Sequence, residues 1–338
     1  MKEIDSRKKI IWANLNKLVI SIGSIICSCI IAVFLLQIVI NHLTSNLYEQ
    51  TAALRWKKDM TYEQISCFFS EGNMPEENRI KGIHIELENM LVENGIIRES
   101  ETNMWIDAYS GQDNLFIEGS YACITAMSIG VGGDFFLFHS LPLKDGEYFT
   151  QEMSEENVIL LNENSAWALF GSVNVVGLDV TIQYETYKVV GVISNYNRYL
   201  SSEAGAEEYI VYIPYSKWDD LVEYPAINCY QLLFPNPINQ FAKSCVEKVM
   251  AYYEEKEIVE NSNRFSMVNT YKKMLKFPEQ YMDKNRHTVP YWENMARGYE
   301  GIKQLVSLCQ ISIGFGGIVV SSILMIKYHC RLKRNNRG

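Results

Sequence analysis

The sequence predicts an α+β ectodomain, mixed strands and helices, between two transmembrane α-helices. Three observations carry that reading. Leu18–Ile40 is a run of 23 residues without a charged side chain, and Leu305–Ile326 is a second uncharged run. Basic residues lie on the outer flank of each run. The stretch between them mixes strand-like alternation with helical spacing and has no strict βαβ order.

The charge is partitioned. Residues 1–17 carry five basic and two acidic side chains, and residues 327–338 carry five basic and none acidic. The formal charge of −9 therefore leaves −17 for the stretch between. A mean hydropathy of −0.09 averages greasy ends with a polar middle. A pI of about 5.2 argues against a nucleic-acid partner, which needs a basic face to displace counterions.

The segment Arg7–Lys17 reads either as a short amphipathic helix lying on anionic headgroups, with Ile10, Ile11, Trp12 and Leu15 on one side, or as a solvated basic flank. Residues 18–40 reach roughly 34 Å as a helix, enough to cross hydrocarbon with some tilt. The run exceeds the about 7–15 apolar residues of a cleaved signal peptide, and no small-x-small site follows it, so it reads as an anchor. The positive-inside rule puts both termini in the cytoplasm and residues 41–304 outside. Small residues recur at four-residue spacing in both runs: Ser24, Ser28 and Ala32 in the first, Ser312 and Gly316, then Gly317 and Ser321, in the second. Such rows let helix backbones approach in lipid.

The expected division is a cytoplasmic segment 1–17, a span 18–40, an extracytoplasmic core domain with helical stalks over 41–304, a span 305–326 and a cytoplasmic basic tail 327–338. Residues 41–58 lack Gly and Pro and read as a helical stalk. Residues 76–94 place Ile80, Ile83, Leu87, Met90 and Leu91 at helical spacing, with Gly95 as a stop. Short β-like stretches follow at Met104–Tyr109, Leu115–Ile117, Tyr121–Ser128 and Phe135–His139, and the glycines at 130–133 read as a turn between strands. Asn157–Leu161 reads as a buried strand, Asn162 as the cap of a helix Glu163–Phe170, and Gly171 as its end. Asp179–Tyr184 and Tyr187–Ile193 read as a hairpin turning at Glu185-Thr186. Asn195–Ala206 reads as a mobile loop. Strands are expected at Tyr209–Ile213, Asn228–Phe234 and Arg264–Val268, and a helix within Ile238–Tyr253. From about Thr270 the chain turns polar and helical, and Tyr291–Gln304 leads into the second span.

Enzyme signals are poor. There is no G-x-x-x-x-G-K-[ST], so the chain is not expected to hydrolyse ATP, and neither H-E-x-x-H nor G-x-S-x-G occurs. His42, His84, His139, His287 and His329 are scattered, with no metal-ligand spacing. No carboxylate pair stands out as an acid/base dyad. The expectation is no enzyme, no cofactor and no metal. Among the cysteines outside the spans, Cys67, Cys123, Cys229 and Cys245, the order strand then helix favours a Cys229–Cys245 disulfide if any forms. The ectodomain has no Asn-x-Ser/Thr sequon, which points to a bacterial surface.

One stretch carries a resemblance. Its residues are Asp134-Phe135-Phe136, Leu143-Lys144-Asp145-Gly146-Glu147-Tyr148-Phe149, Val158-Ile159-Leu160-Leu161-Asn162-Glu163 and Ala166-Trp167-Ala168-Leu169-Phe170-Gly171. Val176-Gly177, Val180-Thr181-Ile182, Tyr187-Lys188-Val189-Val190-Gly191-Val192-Ile193 and Val211-Tyr212-Ile213-Pro214 follow. In order and spacing, segment 129–214 resembles the MacB-like periplasmic core domain of ABC transporter permeases of the MacB/FtsX type. The plan of span, ectodomain and span extends the similarity along the chain. The motif marks a fold and not a catalytic centre.

The resemblance implies a non-catalytic membrane subunit of an export or mechanotransmission system that depends on a separate ATPase. Its implied partners are that ABC ATPase subunit, a second permease or a homodimer partner, and membrane lipid. Permeases of the family usually have four spans, whereas this chain stops twelve residues past its second. The expectation is a truncated or split permease, or a two-span relative that has lost direct coupling, with only Arg7–Lys17 and Lys327–Arg337 left to touch an ATPase. The alternative is a membrane-anchored extracellular binding or sensor module without ATPase coupling. A third reading, an anchored surface enzyme, has no supporting constellation.

Overall fold

The computed structural model describes residues 2–56, 61–70, 72, 74–96, 103–195, 199–275, 282 and 289–335, with backbone only for 2–11 and 335. The chain forms two compact units: Met1–Asn46 with Thr270–Leu275 and Tyr299–Gly338, and Leu47–Asn269 with Lys276–Gly298.

In the first unit, helix α1 (Lys2–Ser45) is continuous through the first apolar run, and helix α9 (Tyr291–Asn335) continues through the second. Both are long and apolar enough to cross a membrane. The expected helical stalk over 41–58 is broken. α1 ends at Ser45, a 3-10 turn occupies Tyr48–Gln50, and one helical turn, α2 (Ala52–Arg55), follows. Leu47 and Ala52 are buried, so tertiary packing overrides the local helical preference. Residues 57–58 of that segment lie outside the described residues.

The second unit is built on one sheet of ten strands: β1 (Tyr62–Phe69), β2 (Ile106–Glu118), β3 (Cys123–Gly133), β4 (Leu143–Gly146), β5 (Val158–Asn162), β6 (Asp179–Ile182), β7 (Glu185–Ile193), β8 (Ile210–Pro214), β9 (Cys229–Pro235) and β10 (Lys256–Glu260). The order is β10-β1-β9-β2-β3-β8-β5-β7-β4, with β6 between β7 and β2. The pairs β3–β8 and β5–β7 are parallel and the others antiparallel. β2, β3, β8, β5, β7 and β6 make a ring that closes through a single bridge, Glu118 opposite Thr181.

Both faces of the sheet are covered, which is why strands such as β5 and β8 are buried at every position. Helices α3 (Glu77–Glu93), α5 (Glu163–Phe170) and α7 (Phe241–Val249) pack on one face with Ile65, Cys67, Ile159, Leu161, Tyr230 and Leu232. Phe68, Leu160, Cys229 and Leu233 point to the opposite face, against Phe135, Phe138 and Trp292. Cys229 and Cys245 therefore project into opposite layers, and all eight cysteines are free. The expected Cys229–Cys245 disulfide is corrected by the alternation of side chains along β9.

Several elements follow the pattern read from the residues. α3 buries Ile80, Ile83, Leu87 and Leu91, and Gly95 behind it has φ 72°. Asn162 Oδ1 accepts from the Ser165 amide at 2.8 Å, and Gly171 closes α5 at φ 70°. Asn162→Ala should cost about 1 kcal/mol, read as a lower urea midpoint at unchanged slope.

Other elements differ. The hairpin turns at Gln183-Tyr184, both at positive φ, two residues earlier than expected. Ile106–Tyr109 of the expected stretch Met104–Tyr109 and all of Leu115–Ile117 are parts of one strand, β2, and Phe135–Phe138 is a helical turn, α4. Gly130–Gly133 lies in β3, opposite Ala108–Gly111, and is not a turn. The Trp218 indole of α6 (Tyr215–Asp219) lies over Gly130 and Gly111, and the Tyr109 ring lies over Gly132, so these positions admit no side chain. Arg264–Val268 is no strand: among the described residues β10 is the last, and α8 (Met267–Met274) begins within that segment. In the expected loop Asn195–Ala206, residues 196–198 lie outside the described residues. Turns occupy Tyr199–Gly205, with Ala204 buried.

Candidate functional site

A continuous chain of polar side chains, buried up to the half-exposed Glu257 at its end, runs through the second unit, on the sheet face that receives the first turns of α9. His139 Nε2 donates to Gln231 Oε1 at 2.6 Å, and Gln231 Nε2 donates to Ser66 Oγ at 3.1 Å. Ser66 Oγ donates to Asn261 Oδ1 at 2.9 Å, and Asn261 Nδ2 donates to Gln50 Oε1 at 2.8 Å. Arg264 donates to the same Gln50 oxygen at 3.1 Å and grips Glu293 with both terminal nitrogens, at 2.6 and 2.8 Å. Arg297 Nε reaches Glu293 Oε1 at 3.0 Å, and its Nη2 reaches Glu257 Oε2 at 2.8 Å.

The Arg264 and Glu293 side chains are 2% and 0% exposed. Burial alone would push the Glu293 carboxyl up. The two guanidiniums outweigh it and hold the group below its ordinary value. The bidentate fork fixes geometry as well as charge. The chain fastens the start of α9 to β10 through Glu257, to β1 through Ser66 and to β9 through Gln231. Trp292 adds an apolar anchor, edge-on to Phe135 at 5.9 Å and to His139 at 4.6 Å.

Glu63, on the same strand as Ser66, is a different case. Its Oε1 is buried without a hydrogen-bond partner, and its Oε2 has long contacts to Asn236 at 3.4 Å and Asn263 at 3.5 Å. Burial, and then the neighbouring Glu260 carboxylate, push its carboxyl up to about 7. The folded state therefore holds this proton where the unfolded chain has lost it. The stabilisation is complete below the unfolded value, falls as pH rises and is gone above about 7. Glu63→Gln should flatten that slope, removing about 2–3 kcal/mol of difference between pH 5 and pH 8. Urea midpoints of both chains at the two pH values measure it.

The opposite face carries a groove between α3 and β2. His84 Nε2 donates to Asp107 Oδ2 at 2.6 Å, and Tyr109 donates to Glu77 Oε1 at 2.8 Å. Burial opposes a charged imidazole, but the Asp107 carboxylate outweighs it and raises the His84 value. Two cavities of about 490 and 690 Å³ share His84, Asp107 and Gln151 in their walls. The geometry offers a paired histidine and aromatic walls, which suits ligand recognition. No cluster of three or more metal-ligating side chains occurs among the described residues.

In the first unit, α1 and α9 run antiparallel and in contact. Gln310 Nε2 donates to the Val33 carbonyl at 3.1 Å and to Gln37 Oε1 at 3.3 Å. A Cβ added at Gly317 would lie 2.8 Å from Cys29 Sγ. On α9, Ser307, Gln310, Gly314, Gly317, Ser321 and Leu324 are half-buried or buried at alternating spacings of three and four, and Leu18, Ile22, Ile25, Cys29, Ala32 and Leu36 repeat that pattern on α1. This is the seam of a left-handed helix pair. Of the residues singled out for helix packing, Ala32, Gly316, Gly317 and Ser321 are half-buried or buried, whereas Ser24, Ser28 and Ser312 are exposed. A period-seven count over the apolar runs marks the seam better than a four-residue count, because it follows the helix pair through successive turns.

Residues 18–234 match the family model of the MacB-like periplasmic core domain. The match covers more than half of the chain, from the first apolar run through β9, and the chain belongs to that family, the ectodomain module of MacB-type ABC transporter permeases. Among solved structures, the periplasmic region of MacB from Actinobacillus actinomycetemcomitans is similar at 16% identity and a TM-score of 0.42, over 64% of this chain and 93% of that one. The extracellular domain of the noncanonic ABC-type transporter YknZ from Gram-positive bacteria is similar at 13% identity and a TM-score of 0.39, over 58% of this chain and 100% of that one. A comparison with curated protein sequences gives no match.

Proposed function

We propose that this chain is a non-catalytic membrane subunit of a MacB-like ABC export or mechanotransmission system driven by a separate ATPase. In this reading residues 18–40 and 305–326 cross the bilayer, residues 41–304 lie outside, and segments 1–17 and 327–338 face the cytoplasm. A second permease or a second copy of the chain completes the assembly. The observation that carries it is the family match, which starts inside the first apolar helix and extends through the ectodomain sheet. The basic outer flanks support the orientation. The buried chain from His139 to Glu257 supports a mechanical role, because it ties the first turns of α9 to three strands. The packing rows of Ser24, Ser28, Ala32, Ser312, Gly316, Gly317 and Ser321 belong to the same proposal, as candidate contacts within the helix pair or with a neighbouring permease.

Affinity purification of the full chain from its native cells in mild detergent, with cross-linking and mass spectrometry, tests the reading. An ABC ATPase and a permease should co-purify. A chain recovered repeatedly without either would count decisively against it. One observation favours the alternative, an anchored binding or sensor module: the two cavities that share the His84–Asp107 pair.

A further inference from the structure

Helix α8 is turned inside out for a protein in water. Met267, Val268 and Tyr271, with Leu275 just past the helix end, fall on one stripe, and their exposures are 54, 63, 42 and 90%. The polar residues take the inner side. Thr270 is buried, and Asn269 Nδ2 donates to the Asn263 carbonyl at 2.8 Å. Lys273 Nζ donates to Glu300 Oε1 at 2.5 Å, and the Glu300 side chain is 5% exposed. A helix on a water-facing surface shows the opposite arrangement. Single exposed apolar residues are ordinary, but a continuous stripe marks a surface that something apolar covers.

The place of α8 along the chain says what covers it. Thr270–Leu275 belongs to the unit of the two apolar helices. Glu300, the ion-pair partner of Lys273, lies on α9 five residues before the uncharged run starts at Leu305, about 7.5 Å along the helix axis. The headgroup layer on each side of the hydrocarbon is about 5–7 Å deep. An interfacial helix sinks its apolar face roughly 5–10 Å into that boundary. The ion pair therefore holds α8 at headgroup depth once α9 crosses a bilayer. Tyrosine is enriched at that level, and Lys272, exposed beside the stripe, can reach lipid phosphates.

We propose that α8 lies in the outer headgroup layer of the membrane, with Met267, Val268, Tyr271 and Leu275 against phospholipid acyl chains. The proposal rests on the reading that residues 305–326 span the bilayer. It adds a lipid contact outside the two spans, tied to α9 at Glu300.

The test puts the photoreactive residue p-benzoylphenylalanine in place of Tyr271, of Phe315 in the second apolar run, or of Tyr121 between β2 and β3, all three exposed. Each full chain is reconstituted into vesicles of phosphatidylglycerol and phosphatidylethanolamine, irradiated and analysed by mass spectrometry. Lipid adducts are expected at positions 271 and 315 and none at 121. Adding Val268→Glu and Leu275→Glu should abolish the adduct at 271 and leave that at 315. An adduct at 315 without one at 271 would overturn the interfacial helix and leave the span in place. No adduct at 315 would remove the span, and the proposal with it. A protein adduct at 271 in place of lipid would mean that a second copy of the chain covers the stripe, and a lipid adduct at 121 as well would mean indiscriminate adsorption. Either result overturns the proposal, as would an adduct at 271 undiminished by the two glutamates.

Discussion

Glu293→Ala should lower the melting temperature of the ectodomain by roughly 6–20 °C. The carboxylate is fully buried and holds two guanidiniums, Arg264 and Arg297. Removing it leaves two cations without their shared anion in a region from which water is excluded. Breaking a buried pair in this way costs about 3–5 kcal/mol, far more than losing an exposed salt bridge. Glu293→Gln keeps the shape and loses the charge, so it should recover only part of the loss. A second substitution, Arg264→Leu, should restore stability in the Glu293→Leu background, because it withdraws the buried cation that Glu293 neutralised. Differential scanning fluorimetry of the detergent-solubilised chains measures all four. The sign with pH is opposite to that of Glu63. The Glu293 carboxyl is held low in the folded state, so its stabilisation is present above the unfolded value and is lost as pH falls through the folded one.

Trp218→Ala should cost about 3–5 kcal/mol, through the cavity it leaves under the sheet. The indole is 1% exposed, donates from Nε1 to Ser128 Oγ at 2.9 Å, and lies over the paired glycines Gly111 and Gly130. A Cβ at Gly130 would stand 2.4 Å from the ring, closer than any tolerated contact. Gly130→Ala alone should therefore be destabilising by overpacking, about 1–3 kcal/mol or more. The two changes should not add. In the Trp218→Ala background the methyl has room, so Gly130→Ala should cost little there or be mildly stabilising. Strictly additive unfolding energies would contradict this account of the glycines.

Those glycines illustrate which parts of the fold are legible in the sequence. α3 and α5 are readable because their apolar spacing, Asn162 cap and glycine stops act locally. β5, β7, β8 and β9 are readable as short runs of buried apolar residues. β1 is not readable in that way, because Glu63, Gln64 and Ser66 interrupt its pattern. All three are buried, and their burial depends on partners up to 200 residues away, such as Asn263 and Asn261. Gly130 and Gly132 look like part of a turn because their real cause, the rings of Trp218 and Tyr109, is distant in sequence. The hairpin at Gln183-Tyr184 lacks the glycine that normally announces positive φ. The polar chain from His139 to Glu257 was equally hidden. A local sign of it is a polar residue inside an otherwise apolar strand, as at Gln231 in β9. The helix pair is readable as two apolar runs, and its seam through period seven.

In the proposed topology the folded sheet and the chain termini lie on opposite sides of a bilayer. The native cysteines suit its test. Cys123, at the start of β3, and Cys330, near the end of α9, are exposed. Cys67, Cys229 and Cys245 are buried. Intact cells expressing the full chain are treated with a membrane-impermeant maleimide, alongside Cys123→Ser and Cys330→Ser chains. The account predicts labelling of the parent that vanishes with Cys123→Ser and is unchanged with Cys330→Ser. Labelling that persists without Cys123 and disappears without Cys330 would contradict it.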